Sequence, residues 1–115
     1  MRLLVSGMAF FVLLTAYLLY QFKNYAEERQ ALHFFEALQR QDFEEAYRIW
    51  QPSEYYKFKD FMEDWGSNSP QGLVRRFRIT GSTARGSGVV VRVIVNRRLI
   101  RLWVEKKDKS LSFPP

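Results

Sequence analysis

Five side chains within one short reach of this sequence could handle a proton: Tyr47, Tyr55, Tyr56, Asp60 and Asp64. A phenol and a carboxyl that share a dry pocket can exchange a proton with a bound molecule, because burial moves their acidities away from those in water. The competing reading is structural. The tyrosines then fill a core or its rim, and Asp60, Glu63 and Asp64 form a solvated acidic turn. His33 is the sole histidine. It shares a polar stripe at helical spacing with Arg29, Glu36 and Arg40 and has no second ligand in sight, so it reads as a surface residue. Cysteine is absent, which removes disulfides, thiolate metal sites and a cysteine-linked lipid anchor. No P-loop, dinucleotide fingerprint or nucleophile elbow occurs. TGSTARGSG, although glycine-rich, joins two strands and opens no helix. No catalytic residue, cofactor or metal is therefore assigned, and Tyr47, Tyr55 and Asp60 stand as a possible pocket.

A second constellation suggests binding. In VVVRVIVNRRLIRLWV, residues 89–104, Arg92 and Arg101 interrupt apolar runs and Trp103 follows closely. The charge is unevenly spread. Residues 67–115 hold eleven Lys/Arg against two acids, a net +9, while residues 21–66 hold six against ten, a net −4. This asymmetry implies one basic and one acidic face on a small body, and either a polyanionic or anionic-lipid partner or two halves that partly neutralise each other on packing.

The elements that must position these groups can be read from periodicity. Residues 24–41 are good helix formers with Ala31, Phe34, Phe35 and Leu38 on one stripe. Asp42 and Glu45 suit a capping box for a second helix, whose Phe43, Ala46, Tyr47 and Trp50 share a face. Ser53 is the expected N-cap of a third helix, with Phe58, Phe61, Met62 and Trp65 facing inward and Gly66 as the stop. After Gly72 the period becomes two. Strands are expected at about 73–83, 89–95, 99–106 and 110–113.

Turn chemistry then fixes a register. A two-residue turn at Asn96-Arg97 sets Val93 opposite Ile100, Val91 opposite Leu102 and Val89 opposite Val104. A turn at Lys107-Asp108 sets Leu111 opposite Val104 and Phe113 opposite Leu102. A five-residue loop over 84–88 sets Ile79 opposite Val93 and Phe77 opposite Val95. All three turns place the aliphatic residues on one face. The other face carries Arg76, Arg78, Arg92, Arg101 and Trp103, with Val90, Ile94 and Leu99. Arg92 falls across from Arg101, a mildly unfavourable pair that belongs away from a core.

Residues 3–20 carry no charge. Eighteen helical residues cover about 27 Å, close to the hydrocarbon thickness of a bilayer. Arg2 and Lys23 can reach the two interfaces, and Tyr17, Tyr20 and Tyr25 suit the far one. No small-x-small cleavage site follows, so an uncleaved transmembrane anchor over 1–23 is expected rather than a signal peptide, with one domain over 24–115. The balance of flanking charge is slight; an outward-facing domain is the expectation.

Three helices followed by a four-stranded antiparallel sheet is an α+β plan. The helical AEERQALHFFEALQRQDFEEAYRIW, the closing FMEDWG, and the strands RFRITGSTARGSGVVVRVIVN and RLIRLWVEKKDKSLSFPP together resemble the nuclear-transport-factor-2-like (cystatin-like) superfamily in a small form. They are similar to its membrane-anchored bacterial members. The resemblance implies a cone: three helices on one face of a curved sheet, enclosing either a pocket or a packed core. It also implies a place in the bacterial inner membrane. Its members include isomerases, ligand carriers, scaffold subunits and dimerising adaptors, and the fold alone does not choose among these.

The expected function is a membrane-anchored, non-enzymatic binding or scaffold domain. It would associate with itself or a protein partner through Arg76, Arg78, Arg92, Arg101 and Trp103. A small-ligand or isomerase-type cone and docking on anionic lipid are the alternatives. Nucleic acid is disfavoured, because base-stacking aromatics are sparse on that face.

Overall fold

The computed structural model describes the backbone of residues 2–21 and 23–115, and the side chains of residues 6–19 and 23–115. Helices come first: α1 (Arg2–Gln21), α2 (Tyr25–Gln39), α3 (Phe43–Trp50) and α4 (Phe58–Trp65). The strands β1 (Phe77–Arg85), β2 (Gly88–Val95), β3 (Arg98–Glu105) and β4 (Leu111–Ser112) follow and form one antiparallel sheet in the order β1-β2-β3-β4. The chain is therefore α+β, as its periodicity implies.

Among the described residues, no helix is long and apolar enough to cross a membrane. The expected span is only partly in view, since the side chains of residues 3–5 and 20, like those of Arg2 and Phe22, lie outside the described residues. What is described of α1 is apolar and exposed, including Phe10, Phe11, Leu13 and Leu19. None of it joins the core.

The core lies between α2–α4 and one face of the sheet. Alternation along β2 buries Val89, Val91, Val93 and Val95 completely, and β3 adds Leu102 and Val104. Against them sit aromatic side chains from the helices. Phe34 of α2 is central, with ring centroids 5.2 Å from Phe35, 5.2 Å from Trp50 and 5.1 Å from Trp65, the last edge to face. Such pairs add about 0.5–1.5 kcal/mol each beyond area burial. The space under the helices is thus packed with interlocking rings. The Trp65 indole N–H, ringed by Phe34, Phe35, Trp50 and Phe113, has no hydrogen-bond partner.

The expected registers hold over most of the sheet, with Val93 opposite Ile100, Ile79 opposite Val93 and Leu111 opposite Val104. Three details differ. First, the β1–β2 connection is a tight turn at Gly86-Ser87, not a five-residue loop, because Arg85 pairs with Gly88. The register shifts between Ile79 and Gly81, where Thr80 is an extra residue, so Ile79 still meets Val93. Such a bulge flips which side chains face outward beyond it. Second, β4 stops at Ser112. Phe113 leaves the sheet to stack on Trp65 at 5.7 Å and to meet Trp50 at a tilt at 5.3 Å, gaining aromatic contact rather than a strand partner. Third, Ser53 does not cap α4. It bridges to Tyr56, and the α4 N-terminus is satisfied by Asp60, whose carboxylate accepts from the Lys57 N–H at 2.9 Å.

Candidate functional site

The outer sheet face brings together four of the five residues expected on it, though not on equal terms. Arg92 of β2 lies directly across from Arg101 of β3. Arg92 does not project. Its Nη1 donates to Thr83 Oγ1 at 2.8 Å, and its guanidinium covers Gly81, where an added Cβ would fall 2.7 Å from Nη2. Trp103 is also laid down. Its ring covers Gly88 so closely that a Cβ there would sit 2.3 Å away, and its Nε1 donates to Glu105 Oε1 at 2.7 Å. A glycine without a side chain exposes strand backbone, and a large neighbour that lies over it restores the lost cover. Arg92 and Trp103 thus serve the sheet itself. Arg78 and Arg101 remain exposed, on the same face as Leu99, which is 55% exposed. Among the described residues neither arginine forms an ion pair with a carboxylate.

Because of the bulge, Thr83 and Arg85 join this face. With Val90, Arg92, Arg101, Pro114 and Pro115 they line a groove of about 480 Å³. Sequence reasoning missed Thr83, Arg85 and the two prolines. The available signal was Gly81 inside a strand pattern, which marks a bulge or a close approach. Arg76 is the exception among the expected five. It precedes β1 and lines a different groove with Arg75 and Arg97.

The possible pocket residues do not converge. Tyr47 packs between Phe58 and Phe61, each 5.4 Å away, and its hydroxyl donates to the Tyr56 carbonyl at 2.6 Å. Tyr55 is 88% exposed. Asp60 is engaged at the start of α4. The one coupled acid pair in this region is Tyr56 with Asp64, whose Oδ2 accepts from the phenol at 2.6 Å. Burial raises the Tyr56 pKa far above the usual phenol value, and the hydrogen bond to Asp64 raises it further. A phenol so held keeps its proton and ties α4 to the loop before it. His33 is exposed in a surface groove with Glu36, Arg40 and Glu45. Among the described residues, no three His, Cys, Asp or Glu side chains group as a metal site.

Comparison with known proteins gives no match to a family model, a curated protein or a solved structure.

Proposed function

We propose that this protein is a non-enzymatic, membrane-anchored binding domain that docks an acidic protein surface on its outer sheet face. The observation that carries this reading is the pair of exposed arginines, Arg78 and Arg101, lacking carboxylate partners among the described residues, on the sheet face that also exposes Leu99. Arginine stems beside an apolar side chain suit an interface core bounded by charge. A second copy is the first candidate partner, since residues 21–66 carry a net −4 that complements the arginine face. Residues 3–20 would serve as a single-pass anchor in a bacterial inner membrane, with the domain outside the cytoplasm. The support is an uncharged stretch of α1 whose described apolar side chains are exposed all round, which water does not favour. The order of helices and then sheet supports a nuclear-transport-factor-2-like domain in which the space under the helices is packed.

Arg78→Glu with Arg101→Glu tests the docking. Both sites are exposed, and a glutamate across from Arg92 removes a like-charge contact, so the fold should hold or gain a few tenths of a kcal/mol. Self-association by sedimentation velocity in mild detergent should weaken tenfold or more. Undiminished self-association would sink the second-copy reading. Loss of co-sedimentation with anionic vesicles instead would move the partner to lipid.

A further inference from the structure

The groove that takes Arg76 away from the outer face has its own chemistry. It lies where the chain enters the sheet, at the carboxyl-terminal end of α2, where Gln39 Nε2 donates to the Arg75 carbonyl at 2.9 Å. One side is the segment after α4, carrying Arg75 and Arg76; the other is the β2–β3 turn, carrying Arg97. Together with Ser67, Gln71 and Asn96 they enclose about 700 Å³ of open groove. Among the described residues no acidic side chain lines it.

Asn96 holds the two sides together. Its Oδ1 accepts from the Arg75 and Arg76 backbone N–H groups at 2.9 and 3.1 Å, and its Nδ2 donates to the Gln71 and Leu73 carbonyls at 3.2 and 2.6 Å. Its own N–H donates to the Arg76 carbonyl at 3.0 Å. The carbonyls of Gln71, Leu73 and Arg76 are thereby occupied. The cationic donors are not. Among the described residues, the guanidiniums of Arg75, Arg76 and Arg97 have neither a hydrogen bond nor an ion pair within the protein.

The turn supplies an independent observation. Asn96 and Arg97 both have positive φ, 48° and 80°. Asparagine tolerates this, but the second position of such a turn ordinarily takes glycine, and another residue there costs on the order of 1–2 kcal/mol. An arginine kept at that cost, beside two more in a groove without acids, is strain located where a ligand would use it.

We propose that this groove binds an oxyanion of the phosphoryl class carrying at least two negative charges, through Arg75, Arg76 and Arg97. A phosphoryl group concentrates its charge and several acceptor oxygens in one place, matching guanidinium forks, whereas carboxylates along a peptide are spaced apart. The groove is roomier than one phosphate, so a diphosphate suits it better than orthophosphate. The proposal uses neither Arg78 nor Arg101, so it stands or falls apart from the docking face.

The test is a calorimetric titration of the full chain in mild detergent, with inorganic pyrophosphate in one arm and short-chain phosphatidic acid in the other. The informative variant is Arg97→Gly, which removes one donor and relieves the turn. Affinity should fall about tenfold or more while the melting temperature does not drop. Arg75→Gln with Arg76→Gln should lose binding as well. Saturable binding of pyrophosphate, weakened in Arg97→Gly, supports the site with a soluble ligand. The same loss with phosphatidic acid alone supports it with a lipid-borne ligand. No binding in either arm, or affinity unchanged in Arg97→Gly, overturns the proposal.

Discussion

The two faces of β2 are built by different means. Inward, Val89, Val91, Val93 and Val95 meet rings delivered by helices far earlier in the chain, and every one is fully buried. Outward, the Trp103 indole of β3 lies over Gly88, Arg92 reaches across Gly81 of β1, and Val90 and Arg92 share a groove with Pro114 and Pro115. Long-range burial thus sets one face and local covering sets the other. The inner face owes its stability to packing density, where a missing group leaves a void. The outer face can be altered at modest cost except where a glycine accommodates a neighbour.

The contrast can be broken most sharply at its centre. Phe34→Ala empties the hub touched by Phe35, Trp50, Phe61 and Trp65. It should cost about 3–5 kcal/mol, a large part of the stability of a small domain, measured by urea denaturation. Gly88→Val asks whether the outer covering is real. The new side chain would expel the indole, costing about 1–3 kcal/mol and shifting the Trp103 indole N–H resonance as its bond to Glu105 breaks. An unmoved resonance would refute the covering.

Tyr56→Phe removes the tie to Asp64 and should cost about 1 kcal/mol near neutral pH. Its pH signature follows from direction alone. The folded protein raises the Tyr56 pKa above its unfolded value near 10, so the contribution is complete below about pH 10 and is lost as pH rises beyond it. In the wild type, then, stability should fall more steeply above pH 10 than in the phenylalanine variant. Parallel alkaline profiles would exclude the tie.

Much of this was legible along the chain. The stripe of Ala31, Phe34, Phe35 and Leu38 announces α2, and all four residues are buried. The pairing of Arg92 with Arg101 follows from the Asn96-Arg97 turn, since a two-residue turn and a period of two leave no freedom. The bulge at Thr80 was not legible from periodicity. Two offsets compensate there, the shorter turn at Gly86-Ser87 and the extra residue, so the registers on either side agree with a longer loop. The candidate site suffered from the same blindness. Arg76 and Arg78 have the same parity in sequence, yet one faces the turn groove and the other the outer sheet.

By itself, then, the sequence determined which residues seek burial and which strands pair, because hydrophobic period and turn chemistry act over a few residues. It also determined that the carboxyl-terminal half is basic. The tertiary structure alone decided that Trp103 lies down on Gly88, that Tyr47, Tyr55 and Asp60 share no pocket, and that Arg75, Arg76 and Arg97 meet across one groove. Those outcomes depend on where a neighbouring strand leaves space and which backbone groups are still unpaired. That information exists only once distant segments have been brought together.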